Sequence, residues 1–92
     1  QSMKGQGNSF EQAMTQTTFG FLLLNKGRND LAVEQLQMAL EKLKTLNQQE
    51  SKLGATTLSH LSFAYFNSGK RNQAEEAGLI ALQIREHIFG KD

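Results

Sequence analysis

The chain has 92 residues, with ten Lys and Arg against nine Asp and Glu and no cysteine, proline or tryptophan. One small domain fits that length, the lack of cysteine excludes a disulfide framework, a zinc ribbon and a thiolate nucleophile, and a formal charge of +1 offers no field for nucleic acid. The longest apolar run, Phe21 to Leu24, is far short of the ~18 residues of a bilayer span and no signal-peptide pattern opens the sequence, so no membrane contact is expected and the setting reads as cytoplasmic.

Residues 1–8 hold two glycines and one apolar side chain, Met3, and read as a flexible tail. Ser9-x-x-Gln12 has the form of a capping box and places the start of a first helix at Ser9. Apolar residues then run through Phe10, Ala13, Met14, Phe19 and Phe21 to Leu24, and the polar cluster 25–29, with Gly27 able to take a positive φ, reads as a turn. From Asp30 to Leu46 the apolar positions fall mostly three or four apart, which is the clearest amphipathic helix of the chain, and residues 47–51 are polar enough to end it. A third helix is expected from about Lys52 or Ala55 to Phe66, a second turn at 67–71, and a fourth helix from Asn72 to Ile88 with Asn72-x-x-Glu75 as its cap. No sustained period-two alternation suggests a strand.

A shift of 42 residues aligns the two halves without a gap. It lays Ala13 on Ala55, Phe21 on Phe63, Asn25 on Asn67, Gly27 on Gly69, Ala32 on Ala74, Glu34 on Glu76, Ala39 on Ala81 and Leu40 on Leu82. Small residues at the two alanine pairs let helices approach closely, and the paired glycines allow each reversal. A generic bundle of four helices would share glycine turns and alanines. A true repeat goes further, stacking the hairpins with one rotation and leaving a concave surface. The expected architecture is all-α, with a first hairpin over 9–50 and a second over 51–92.

The residues Leu58-x-x-Leu61-Ser62-x-x-Tyr65, followed by Gly69, Ala74 and Ala81-Leu82, resemble the tetratricopeptide repeat. Gln16-x-x-Phe19-Gly20-x-x-Leu23, with Gly27, Ala32, Leu36 and Ala39-Leu40, fits the same template less closely. A period of 42 exceeds the usual ~34 of this repeat and implies longer second helices or longer links. The stretch Ala81-Leu82-Gln83-Ile84-Arg85-Glu86 through Gly90-Lys91-Asp92 is similar to the close of the extended repeats of kinesin light chains. Proline, usual at the end of the repeat, is replaced by Lys44 and Glu86, so both second helices are expected to run on. Kinesin light chain repeats carry an Asn-Asn pair where this chain has Thr17-Thr18 and Ser59-His60, which argues against that mode of cargo recognition, and the Lys and Asn of a carboxylate clamp are absent.

The resemblance implies an interaction module without catalysis, taking a partner protein or peptide on the inner face of its first helices. It puts Thr17, Phe21, Leu24 and Asn25, their equivalents Ser59, Phe63, Phe66 and Asn67, and the neighbouring His60 on or near that face. Phe21 and Phe63 then either form an exposed apolar stripe or pack between repeats, with Phe19, Leu23, Leu61 and Tyr65 supplying the core. The alternative role is self-association. Two repeats are fewer than the ~3 of a stable solenoid, and the final helix is rich in apolar residues, so Ile80, Ile84, Ile88 and Phe89 are expected to meet a second copy or further repeats of a longer parent chain. His60 and His87 lie on different helices with no ligand spacing, Glu75-Glu76 points in two directions around a helix, and Gly5-x-Gly7 lacks a preceding strand. No catalytic residue, metal or cofactor is therefore expected.

Overall fold

The computed structural model describes residues 9–90, so the expected tail at 1–8 lies outside the described residues. Four helices follow one another: α1 (Ser9–Asn25), α2 (Asn29–Thr45), α3 (Lys52–Asn67) and α4 (Arg71–Phe89). No strand occurs among the described residues. Helices α1 and α2 form one antiparallel hairpin, α3 and α4 a second, and α3 lies against both helices of the first. The Cα envelope measures 43 × 35 × 17 Å, a slab so thin that each helix keeps one side open.

The first three helices end by one device. At the end of α1 the Arg28 N–H donates to the Leu23 carbonyl and the Gly27 N–H to that of Leu24, and the same two bonds recur as Lys70 to Tyr65 and Gly69 to Phe66 after α3. These are Schellman caps, which need a left-handed residue, and Gly27 (φ 77°) and Gly69 (φ 80°) supply it as the sequence implied. After α2 the same role falls to Asn47 (φ 59°), with Gln48 bonding Leu43 and Asn47 bonding Lys44. Helix α2 therefore passes Lys44 by one residue only, while α4 passes Glu86 by three. The long period comes from 17-residue helices in the first hairpin together with the link after α2.

One helix start departs from its expected cap. Helix α1 begins at Ser9 as expected, but α4 begins at Arg71, so Asn72 lies inside the helix and Glu75 has no capping role, and the flanking Lys70 makes no side-chain cap. Helix α3 has a side-chain cap, in which the Gly54 N–H donates to the Ser51 hydroxyl at 3.1 Å. Here the link folds back so closely over the first turn that a Cβ on Gly54 would run into the Gln49 carbonyl oxygen.

Two cores result. The larger joins both hairpins through Leu24, Ala32 and Leu36 on one side and Ala55, Leu58, Leu61, Ala64, Ala77, Ala81 and Ile84 on the other. The smaller collects Ala13, Ala39 and Leu43 with Leu53 packed on them. Ala32, Ala39, Ala74 and Ala81 are all buried, as the close-approach argument requires. Within each hairpin one small residue lets the pair close, but on opposite helices. Gly20 of α1 has Leu36 over it, where a Cβ would stand 2.6 Å from the Leu36 Cγ, whereas in the second hairpin Gly78 of α4 faces Ser62.

Equivalent residues of α1 and α3 have different fates. Leu61 is buried, while Phe19, its equivalent and an expected core residue, is 48% exposed. The reason is position: α3 is covered on two sides, and nothing described covers the outer side of α1. Leu23 and Tyr65 take the intermediate place, packed against the rim of the core.

One polar contact sits inside the junction of the hairpins. Thr17 and Thr57 are both buried and their hydroxyl oxygens are 2.7 Å apart. The Thr57 hydroxyl donates its single proton to the Leu53 carbonyl at 2.8 Å, so Thr17 is the donor to Thr57. Replacing Thr17 by Val should cost about 1–2 kcal/mol by leaving a buried acceptor unpaired, and Thr57→Val a similar amount. The double variant should cost clearly less than the sum, measured by urea unfolding, because an apolar pair of the same shape leaves nothing unsatisfied.

Candidate interaction surface

The nine residues expected on one inner face are divided by the structure. Thr17 and Leu24 are buried at the junction, since α3 lies over the side of α1 that carries them, and neither can meet a partner. Phe21, Asn25 and His60 stay at the inner rim between α1 and α3. The Phe21 and His60 rings stack there at 4.7 Å between centroids with planes tilted by 30°, so Phe21 packs between repeats and still presents an open edge. The Asn67 amide donates to the Asn29 side chain at 3.3 Å, which ties the two turns together across the hairpins.

The remaining three, Ser59, Phe63 and Phe66, gather on the far side of α3. With α4 they frame a groove of about 770 Å³. Its floor is made of small residues, Ala74 and Gly78, and its walls are Phe63, Phe66, Leu79 and Leu82, each more than half exposed. Arg71 and Glu75 stand at one end. The floor is rigid, because the Ser62 hydroxyl donates to the Ala74 carbonyl at 2.6 Å and so clips α3 to α4. Arg85 donates to the Ser59 hydroxyl at 2.9 Å and lies on the same side. Exposed aromatic and aliphatic walls around a preformed hollow suit an apolar ridge of another polypeptide.

The four residues expected to drive self-association do not share an exposed face. Ile84 is in the core and Ile88 is half-buried against it, because this stripe of α4 turns toward α2 and α3. Ile80 borders a separate cleft with Leu40, Lys44 and Leu58. Phe89 is exposed, with the Lys52 ammonium 5.5 Å above its ring. The unpartnered stripe of α4 is instead Leu79 and Leu82, on the side of the helix turned away from Ile84. Periodicity alone does not make that choice; the 42-residue shift applied to contacts does, since these places match Gln37, whose amide meets the Tyr65 hydroxyl of α3, and Leu40, which packs on the core.

Among the described residues no three His, Asp or Glu side chains gather as a metal site would need, and no helix is long and apolar enough to cross a membrane. Residues 55–92 match the family model described as tetratricopeptide repeat. No curated protein and no solved structure matches the chain.

His60 gives the inner rim a pH response. Its pKa is held below the ordinary 6.5, first by burial and then by the nearby Arg85 guanidinium. Folding thus favours the neutral ring: the unfolded chain takes up the proton first as pH falls below 6.5, so stability is full above that value and is lost toward the lower folded-state pKa. The urea midpoint should therefore drop between about pH 7.5 and about pH 5.5, and the drop should be smaller in His60→Gln.

Proposed function

We propose, for a chain whose residues 55–92 match the tetratricopeptide repeat model, that it is a protein-interaction module which receives a partner polypeptide on the aromatic face of its second hairpin. The observation that carries this reading is the open groove between α3 and α4, with Phe63 and Phe66 as anchors more than half exposed and a floor of small residues. Binding here is recognition on a preformed surface, in which apolar area is removed from water at little ordering cost to the receiving side. Phe21, Asn25, His60 and Asn67 extend the face around the inner rim. Phe21 and His60 are already packed on each other, so they contribute an edge where Phe63 contributes most of its ring. The extended period and the Ala81 to Gly90 stretch ally the hairpins with kinesin-light-chain-type repeats, and an intracellular scaffold or adaptor role accords with that likeness.

A random peptide library selected on the wild-type chain tests the reading. Selected peptides should lose about tenfold or more in affinity on a Phe63→Ser/Phe66→Ser variant of unchanged helicity, and equal affinities would remove the groove from the binding site.

A further inference from the structure

We infer that the groove between α3 and α4 takes α1 of a second copy of this chain, joining copies head to tail in the way that α3 joins the first hairpin. This deepens the proposed use of that groove by naming its occupant, and rests on it. The argument is continuity with an interface already present. In the first hairpin the side facing α3 carries Thr17, Leu36, Gln37 and Leu43, and the 42-residue shift carries these to Ser59, Gly78, Leu79 and Arg85 on the side that is open in the second hairpin. The face of α3 that seats there carries Leu53, Thr57, Leu61 and Tyr65, and the same shift backward gives Glu11, Thr15, Phe19 and Leu23 on α1. Phe19 is half exposed, and Thr15 and Glu11 are exposed. Both halves of one interface are thus open at opposite ends of the molecule.

The residues at the two open ends complement one another pair by pair. The apolar contact of Leu53 on the cluster holding Leu43 becomes Glu11 of the second copy opposite Arg85, a pair of opposite charge. The hydroxyl pair Thr17 and Thr57 becomes Ser59 and Thr15 of the second copy, again two hydroxyls. The Gln37 amide bonded to the Tyr65 hydroxyl at 2.7 Å becomes Leu79 and Leu23 of the second copy, polar for polar replaced by apolar for apolar. Size is exchanged as well: Leu36 and Leu61 share one core, and their counterparts are Gly78 and Phe19 of the second copy, a deeper floor for a larger knob. Among these four pairs no like charges meet and no polar group faces an apolar one, and the Phe21–His60 contact becomes Phe63 beside Thr18 of the second copy, a ring beside a hydroxyl. A contact of this kind joins two different surfaces, so it repeats without closing unless one end is blocked.

Sedimentation equilibrium of the 92-residue chain from about 10 μM to about 1 mM tests the inference. The average mass should climb with concentration past that of a dimer. Phe19→Lys blocks one end and Leu79→Lys the other, both at exposed positions, and circular dichroism verifies that each stays helical. Each variant alone should remain a monomer, and their equimolar mixture should stop at a one-to-one dimer. Arg85→Glu should weaken association roughly tenfold or more, and adding Glu11→Arg to the same chain should restore it. A wild-type chain that stays monomeric at the highest concentration overturns the inference. So does association that survives Phe19→Lys, which would mean groove against groove, or association that survives Leu79→Lys. In all three cases the peptide selection still decides separately whether the groove binds other polypeptides.

Discussion

The seating of α3 against the first hairpin is the contact from which the rest of the molecule follows. It buries Leu24, Leu36, Leu58 and Leu61 in one core, encloses the two threonine hydroxyls, and brings the His60 ring onto Phe21. A hairpin of two helices has too little interior to be stable by itself, so this junction supplies the shared apolar volume that both halves require. It also creates an asymmetry between the two hairpins. One repeat is covered on the side that its successor keeps open, and the same kind of residue is core at position 61 and surface at position 19.

Much of this architecture is legible in the sequence, because its determinants are local and periodic. The glycines at 27 and 69 announce left-handed caps, the alanine pairs announce close helix contacts, and the 42-residue shift announces two like hairpins. Cap positions are less legible: Asn72 has the right chemistry, yet α4 starts a residue before it, and Ser51, which caps α3, has Gly54 rather than Glu or Gln three residues on and so no capping-box pattern. The candidate site was only partly legible. Motif positions identify which residues lie on the first helices, but whether such a residue is buried depends on which helix packs over it. Thus Thr17 and Leu24 are enclosed while Ser59 and Phe66 border a groove. On α4 the buried Ile84 and the exposed Leu79 and Leu82 lie on opposite sides of the helix, but apolar residues at 79, 80, 82, 84, 88 and 89 surround it, so periodicity does not resolve which side meets the core.

The two hairpins also solve the same packing problem in opposite ways. Gly20 lies beneath Leu36 in the first, whereas Gly78 lies opposite Ser62 in the second. The first arrangement offers a filled surface on which a leucine-bearing helix rests. The second leaves a hollow with a polar clip at its base and aromatic walls. A repeat can therefore keep its backbone while changing the shape it presents, simply by moving the small residue from one helix to its partner.

The close passage of the link over Gly54 has a consequence for how the two hairpins are joined. Where two hairpins meet through side chains alone, their relative rotation can relax by rotamer changes. Here the Gln49 carbonyl rests where a Cβ of residue 54 would stand, so the path of the link into α3 is held by main chain rather than by a side chain that could change rotamer. The step from the first hairpin to the second therefore passes through a backbone contact that only a glycine at position 54 admits.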